Sequence, residues 1–298
     1  MNILDSIRQR VLLLDGAIGT ELMKAGLEPG RCPDAWNLEK PDTVRDIQAR
    51  YFDAGSDLVV TNTFGATPLK LAAYGLQDRC REINLAGARL LNEVRPAGKF
   101  IGGDIGPSGK FVKPQGEFEE AQLEETFGRQ AEALAEGGID VFVIETMYDL
   151  REALCAVRAC RRASPLPVFA TMTFNRTPRG FFTLMGDSSA KCLRALEEAG
   201  VSAAGANCTL DSSDMADLVL ALRAETRLPL IAQPNSGQPQ VGPGGEIAYS
   251  QGLEDYVRHF PQIIANGARL VGGCCGTSPE TIRRLAELVG DLGKIIPS

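Results

Sequence analysis

The amino-acid sequence predicts a single-domain (β/α)8 TIM barrel that spans residues 1–298. Three observations predict this fold: the size and apolar content of the chain, an apolar strand pattern that recurs eight times, and helical periodicity between the strands. Of the 298 residues 44% are hydrophobic, and no Ser/Gly-rich linker or block of like charges divides the chain. One large core is therefore expected, and a TIM barrel typically needs about 250 residues.

Four of the predicted strands follow a glycine that ends the preceding helix, which makes a weak internal repeat. These segments are residues 54–60, 137–143, 199–204 and 266–271, with glycines at Gly55, Gly138, Gly200 and Gly267. Four further short apolar runs alternate with them, at residues 11–14, 100–103, 167–171 and 229–232. Buried parallel strands are continuous apolar runs of this kind.

The predicted helix at residues 278–289 shows the helical pattern most clearly. Ser278 is a suitable N-cap, Pro279 suits the first helical position, and Gly290 is expected to end the helix. One face is apolar and contains Ile282, Leu285, Ala286 and Val289. A doubly wound sheet would alternate the same elements, but no phosphate-binding glycine fingerprint follows the first strand, so the barrel is favoured.

Composition and charge exclude several classes of function. The net charge is −7, and no basic cluster with interleaved aromatic residues indicates a nucleic-acid surface. The first ten residues lack the apolar stretch of a signal peptide, and no later run approaches the roughly 18 apolar residues of a membrane span. We therefore expect a cytoplasmic enzyme with no nucleic-acid and no membrane partner, whose eight cysteines are thiols or metal ligands.

The adjacent cysteines Cys274 and Cys275 predict a metal site. Their Cα atoms lie about 3.8 Å apart across a trans peptide, whereas an unstrained disulfide needs roughly 4.4–6.8 Å. Cys208 follows the sixth predicted strand and the pair follows the eighth, so their strand ends are about 10 Å apart before curvature and side-chain reach close the gap. Three thiolates could then bind Zn²⁺ and leave a fourth position open. The other cysteines are predicted to be buried thiols: Cys32, Cys80, Cys155, Cys160 and Cys192.

Other polar residues collect after the predicted strands, where barrel enzymes carry their sites. They are Asp15, Asn62, Thr63, Asp104, Glu145 and Asn235. Asn235 follows the seventh strand, between the two cysteine strands. Its carboxamide oxygen could fill the fourth zinc position, or the residue could organise the turn at 233–237. The single histidine, His259, falls in a predicted helix at residues 253–266 and is interpreted as a packing or surface residue.

A zinc ion with three thiolate ligands favours one kind of chemistry. The site would carry a formal charge of −1, which makes it a poor generator of hydroxide. A substrate thiol is deprotonated when it coordinates zinc, and its sulfur stays nucleophilic because three other sulfurs already share the metal charge. Alkyl transfer to a thiol is the expected reaction, and the single histidine disfavours a hydrolase that uses metal-bound water.

Eight segments of the chain resemble the homocysteine S-methyltransferases, specifically the homocysteine-binding barrel of cobalamin-dependent methionine synthase. They are residues 15–21 (DGAIGTE), 61–66 (TNTFGA), 103–109 (GDIGPSG), 145–146 (ET), 172–174 (MTF), 205–209 (GANCT), 233–237 (QPNSG) and 272–277 (GGCCGT). The resemblance implies that Cys208, Cys274 and Cys275 hold zinc, that the homocysteine sulfur is the fourth ligand, and that methionine is the product. It places Glu145 at the α-ammonium of homocysteine, helped by Asp15 and by the backbone at Gly16 and Ala17.

The methyl donor stays open at this point. The resemblance favours methylcobalamin carried by a separate module or corrinoid protein, with S-methylmethionine or betaine as alternatives. The folate, cobalamin and reactivation modules of the larger enzymes do not fit in 298 residues. The chain is then an excised module, a subunit of a split system, or a standalone enzyme. A hypothesis of another class is a non-catalytic thiol-binding or redox-responsive partner module, because vicinal cysteines can react with oxidants and soft metals.

Overall fold

The computed structural model describes residues 2–241 and 247–295, and eight parallel strands form its central sheet. These strands are β1 (Leu12–Leu13), β2 (Leu58–Val60), β3 (Phe100–Ile105), β4 (Val141–Met147), β5 (Val168–Met172), β6 (Ala203–Asn207), β7 (Leu230–Gln233) and β8 (Ala268–Val271). Each strand pairs with the next in sequence from β2 to β8, and β8 pairs with β1. A parallel bridge between Leu14 and Leu58 joins β1 to β2, so the ring closes and the predicted barrel is confirmed.

Helices surround the barrel and pack their apolar faces against it. They are α1 (Ile3–Gln9), α2 (Ile18–Lys24), α3 (Trp36–Glu39), α4 (Pro41–Asp53), α5 (Pro68–Leu71), α6 (Cys80–Val94), α7 (Glu120–Glu136), α8 (Leu150–Ala163), α9 (Ser189–Glu198), α10 (Ser212–Arg223), α11 (Leu253–Val257), α12 (Phe260–Ala265) and α13 (Pro279–Ile295). Polar caps begin several of them, including Asp149 for α8, Ser188 for α9 and Asp211 for α10. None of the helices in the described ranges has the length and apolar character needed to cross a membrane.

One apolar cluster fills the part of the barrel interior nearest the amino ends of the strands. It contains Ile3 and Ile7 of α1 together with Leu12, Leu14, Leu58, Phe100, Val141, Val143, Phe169, Ala203, Ile231 and Leu270. Residues two apart on a strand point to the same side of a sheet, so Asp104 on β3, Glu145 on β4 and Asn207 on β6 are inward positions nearer the carboxyl ends of their strands. The interior therefore changes from apolar to polar along the strand direction, and this change places a site at the carboxyl ends of the strands.

Glycine at position 102 is part of this packing. A Cβ atom there would lie 2.7 Å from Val143 Cγ2 and 3.1 Å from Val60 Cγ1. The strand therefore needs the smallest side chain one inward position before Asp104, because a larger one would overfill the interior.

Three sequence expectations differ in detail from the structure. β4 and β6 continue to Met147 and Asn207, past the ends of the predicted segments 137–143 and 199–204, because polar residues at their carboxyl ends interrupt the apolar pattern. The predicted helix at 253–266 is two helices, α11 and α12. Pro261 lies in the first turn of α12, and a continuous helix is interrupted there because proline has no backbone N–H to donate. Gly290 does not end α13, which continues to Ile295, since a single helical glycine costs only about 1 kcal/mol.

Two antiparallel hairpins not predicted from the sequence lie in the loops that follow β5 and β7. The first pairs Asn175–Thr177 with Gly180–Phe182. The second pairs Pro239–Val241 with Ile247–Tyr249, and it brings Tyr249 beside Cys275. The second hairpin therefore forms part of the wall around the predicted metal site.

Candidate functional site

The three cysteines predicted as metal ligands lie together at the carboxyl ends of β6 and β8. Their sulfur atoms are all within 4.8 Å of one another, and the Cys208 and Cys275 sulfurs are 3.9 Å apart. Sulfurs bound tetrahedrally to zinc at about 2.3 Å would be about 3.8 Å apart. The residues present therefore fit a zinc ion in both donor type and spacing.

Backbone contacts hold the two cysteine loops against the loop after β7. The amide of Cys208 donates to Gln233 O at 3.1 Å, and that of Cys274 donates to Pro234 O at 2.9 Å. Cys208 and Thr209 both have left-handed backbone angles, with φ of 63° and 54°. Non-glycine residues in this region are strained and occur often at functional sites. These two residues form a tight turn at the end of β6, in which Leu210 N donates to Cys208 O at 2.6 Å.

The three sulfurs affect one another's protonation strongly. Hydrogen bonds from the Cys274 and Cys275 thiols lower the pKa of Cys208 to about 3. The same contact with Cys208 raises the pKa of Cys275 to about 11, and it also raises the pKa of Cys274. One thiolate and two thiols therefore share the cluster. A divalent cation would replace the two remaining protons and neutralise the sulfur charges.

A cavity of about 380 Å³ contains these cysteines and most of the predicted substrate residues. Its lining includes Asp15, Gly16, Ala17, Glu145, Cys208, Cys274 and Cys275. Asn235 lines a neighbouring cavity that also includes Cys208 and Cys275. The Asn235 side chain nonetheless lies close enough to Cys208 to help lower the pKa of that thiol, and its buried Oδ1 has no hydrogen-bond partner. The structure therefore brings every predicted site residue to one end of the barrel.

The predicted backbone contacts at Gly16 and Ala17 are partly used within the protein. The amide of Ala17 donates to Thr277 Oγ1 at 3.2 Å, and a Cβ at Gly16 would lie 2.6 Å from the same oxygen. Thr277 Oγ1 in turn donates to Cys274 O at 2.7 Å. These contacts tie the loop after β1 to the cysteine loop, so Gly16 has a packing reason for lacking a side chain.

Acidic side chains dominate the charge of the cavity. Its lining contains the carboxyl groups of Asp15, Asp34, Asp104 and Glu145 against the amine of Lys70. Desolvation raises the pKa of Asp15 to about 7, although Val60 N donates to it at 2.8 Å. Desolvation also raises the pKa of Glu145 to about 8, and the charge of Asp15 adds to this effect. The cavity is therefore suited to a ligand that brings a positive charge.

Asp104 was predicted at the carboxyl end of β3 but given no role. Its side chain is buried, lines the cavity, and has an Oδ1 without a hydrogen-bond partner. Burial raises its pKa well above the ordinary value, and the neighbouring Glu145 charge adds to the effect. The period-two pattern from Phe100 through Gly102 to Asp104 is the sequence signal that could have identified it as an inward residue.

Replacement of Asp104 by asparagine is expected to stabilise the protein without homocysteine by about 1–3 kcal/mol at pH 8, because a neutral carboxamide avoids the cost of either protonating the buried carboxyl group or burying it ionised without a full set of partners. A folded-state pKa above the unfolded value means that wild-type stability is lost as pH rises through the folded pKa. The melting-temperature difference between D104N and wild type should therefore grow from pH 5 to pH 8. The exposed Asp46→Asn variant serves as control, and a difference that shrinks with pH would contradict this explanation.

Asn207 was missed by sequence reasoning, although it directly precedes Cys208 in the segment GANCT. It is fully buried, and its carboxamide lies between Glu145 of β4 and Cys274 after β8. Its place beside a predicted ligand and the period-two pattern from Ala203 through Gly205 to Asn207 are the sequence signals that could have suggested an inward position.

The remaining cysteines and the histidine lie apart from this cluster. The five other cysteines are buried free thiols, as predicted. Cys155, Glu120 and Glu124 lie close enough together to form a second set of metal ligands. Both of these carboxylates are, however, already paired with Arg158. His259 precedes α12, and its Nδ1 is 2.9 Å from Ser212 Oγ.

Comparison with known proteins identifies the family. The family model described as homocysteine S-methyltransferase matches residues 12–289. The chain belongs to the homocysteine S-methyltransferase family. The family resemblance inferred from the eight segments is thereby confirmed, and the family supports a methyltransferase activity.

Relatives of this homocysteine S-methyltransferase family member include much longer proteins. Methionine synthase from Mycobacterium tuberculosis is 32% identical over an alignment of 310 residues. The alignment covers 98% of this chain and 26% of that protein. Methionine synthase from Mycobacterium leprae is also 32% identical, covering 97% of this chain and 25% of the relative. The chain thus spans about a quarter of the length of these curated relatives.

The fold of this family member is shared by the Escherichia coli homocysteine methyltransferase MmuM. The metallated form of MmuM matches with a TM-score of 0.79 and 24% identity, and the match covers 94% of this chain and 97% of that chain. The oxidised form matches with a TM-score of 0.80 and 24% identity, covering 96% and 98%. These likenesses support the same barrel architecture along nearly the full length of both chains.

Proposed function

We propose that this protein is a zinc-dependent homocysteine S-methyltransferase of the methionine synthase type, in which residues 1–298 form the homocysteine-binding barrel. The observation that carries the proposal is the set of three sulfurs within 4.8 Å of one another in a cavity that also contains Glu145 and Asp15. Cys208, Cys274 and Cys275 would hold Zn²⁺. Bound there, zinc supplies a Lewis acid that favours the thiolate form of homocysteine.

The chain's own residues orient the amino-acid end of the substrate. Glu145 and Asp15 accept hydrogen bonds from the α-ammonium of homocysteine, while backbone groups at Gly16 and Ala17 border the same end. Both carboxyl groups have raised pKa values because they are desolvated. An arriving ammonium favours their ionised forms, and the resulting charge-assisted hydrogen bonds are stronger than neutral ones.

Asn235 is proposed as an oxygen donor at the fourth zinc position when homocysteine is absent. Its Oδ1 is buried and has no hydrogen-bond partner, and its side chain contacts Cys208. A buried carbonyl oxygen without a partner is costly unless a donor or a cation satisfies it. The interpretation of Asn235 as a residue that organises the turn also has support, because its backbone N–H donates to Leu210 O at 2.9 Å.

The proposed methyl donor is methylcobalamin carried by a separate module or corrinoid protein. The two relatives named methionine synthase support this proposal, because this chain aligns with only about a quarter of each of them. The alternative is a barrel that acts without such a module and takes the methyl group from S-methylmethionine or betaine. The eight free cysteines support a reducing compartment such as the cytoplasm.

One experiment tests the reaction and the donor together. Zinc-loaded protein and homocysteine are incubated separately with methylcobalamin, S-methylmethionine and betaine, and methionine is measured. We expect methionine with methylcobalamin. Methionine formed with S-methylmethionine or betaine alone would overturn the donor assignment while supporting thiol methyl transfer. Homocysteine binding to the metal without methionine from any donor would favour the non-catalytic thiol-binding module instead.

A further inference from the structure

The carboxamide of Asn207, at the end of β6, connects two parts of the site that lie on different strands. Its Nδ2 is 3.1 Å from Glu145 Oε2, 2.7 Å from Thr146 Oγ1 and 3.7 Å from Cys274 Sγ. Its Oδ1 accepts hydrogen bonds from Thr146 N at 2.8 Å and from Thr171 Oγ1 at 2.7 Å. A single buried side chain therefore contacts both the predicted ammonium-binding carboxylate and one of the sulfurs.

The orientation of this carboxamide follows from its partners. A backbone N–H can only donate, so the atom that faces Thr146 N must be the Asn207 oxygen. With Oδ1 assigned, the amino group must face Glu145 and Cys274, where it donates to a carboxylate and a sulfur. Both lone pairs of Oδ1 are used, and the two amide hydrogens lie among three acceptors. The side chain consequently has no freedom to rotate without losing buried hydrogen bonds.

The backbone that Asn207 contacts is irregular around Glu145, near the carboxyl end of β4. The register between β4 and β5 shifts between Ile144 and Met147, and Thr146 has a left-handed φ of 60°. Such irregularities next to sites redirect a side chain, and a left-handed threonine persists only where surrounding contacts hold it. The Asn207 Oδ1 supplies such a contact by accepting from the Thr146 amide.

We propose that Asn207 is a positioning residue that sets the place of the Glu145 carboxylate relative to the Cys274 sulfur. It thereby couples the amino end of a substrate to its thiol end, and it makes the site selective for an aminothiol over a thiol that lacks the amine. This inference rests on the proposed function, since it assigns the ammonium to Glu145. Asn207 itself touches neither the reacting sulfur of the substrate nor the methyl donor.

The test compares homocysteine with 4-mercaptobutyrate, which has the same thiol and carboxylate but no ammonium. The cobalt-substituted protein reports thiol binding through its absorption spectrum, and metal content is measured for every variant. Wild type is expected to bind homocysteine more tightly. Asn207→Ala is expected to lower the ratio of the two affinities about tenfold, equivalent to about 1.4 kcal/mol, while one metal ion per chain is retained.

The matched control is Asn92→Ala, which removes another bridging asparagine, bonded to Ala88 O and Gly137 O far along the chain from the cysteines. It should lower the melting temperature and leave the affinity ratio unchanged. An unchanged affinity ratio in Asn207→Ala would overturn the positioning role, whether the affinities for both thiols fall equally or neither falls. A purely structural role predicts that both affinities fall equally.

A nearly isosteric second variant is used if Asn207→Ala does not fold with its metal. Thr171→Val removes the hydroxyl that donates to Asn207 Oδ1 without touching Glu145. It should lower the ratio about threefold, and an unchanged ratio in that variant would overturn the inference. Failure of wild type to bind either thiol at the metal would overturn the proposed function as well. A wild-type preference for homocysteine that both variants keep would overturn this inference alone.

Discussion

Replacement of Cys274 by alanine is expected to remove zinc from the protein and to abolish methyl transfer. The reason is the geometry of the cluster, in which Cys274 completes a set of three sulfurs within 4.8 Å. Without it, Cys208 and Cys275 leave a metal with two thiolates and open positions for water. A bound metal contributes several kcal/mol to such a reaction, so we expect the rate to fall by at least about 10³-fold.

The measurements are zinc per chain after dialysis and methionine formed per minute. Cys192→Ala is the matched control, because Cys192 is a fully buried thiol on α9 outside the cluster. That variant should keep one zinc ion per chain and near-normal activity. The triple variant with alanine at Cys208, Cys274 and Cys275 gives the sharpest outcome, since full activity without zinc in that protein would refute the metal mechanism.

Replacement of Glu145 by glutamine is expected to weaken homocysteine binding by about 2–4 kcal/mol, which corresponds to roughly 30- to 900-fold. Glutamine keeps the size of the side chain and an oxygen that can accept from Asn207 Nδ2. It removes the negative charge that would face the ammonium in a desolvated cavity. Zinc content should stay unchanged, because Glu145 is not among the grouped sulfur ligands.

Titration of the cobalt-substituted protein with each thiol measures this effect. The affinity for 4-mercaptobutyrate, which has no ammonium, should change much less than that for homocysteine. Glu124→Gln is the control, since Glu124 lies on α7 in ion pairs with Arg158 and Arg162. Normal homocysteine affinity in Glu145→Gln would mean that the ammonium binds elsewhere, and Asp15 and Asp104 would be the next carboxylates to replace.

The sequence predicted the strands better at their apolar residues than at their polar ends. β3 and β5 begin at or within one residue of the apolar runs that predicted them, and β2 and β8 lie inside the predicted segments. β4 and β6 continue to Met147 and Asn207, past the predicted ends at 143 and 204, because Glu145, Thr146 and Asn207 are polar. The hairpins after β5 and β7 were missed because each of their strands has only three residues, too few to show a clear alternation of apolar and polar positions.

The sequence predicted those site residues whose role is indicated by their neighbours along the chain. Cys274 and Cys275 stand out because adjacent cysteines are poorly suited to a disulfide. Asp15 and Glu145 stand out because they follow apolar runs. Asn207 shows no such signal, because its role depends on a hydrogen bond to Glu145, which is 62 residues away in sequence. The unpartnered Asp104 oxygen likewise becomes visible only when its neighbours are known.

The sequence by itself determined the fold class, the family and the set of candidate sulfur ligands, because these depend on residue type and on spacing along the chain. Only the tertiary structure decided how the parts of the site meet. It showed the closure of the ring between β1 and β2, the irregular backbone at Thr146, and the carboxamide that joins Glu145 to Cys274. The physical reason is that barrel closure and strand register bring distant inward positions together, and a one-dimensional pattern does not contain the distances between them.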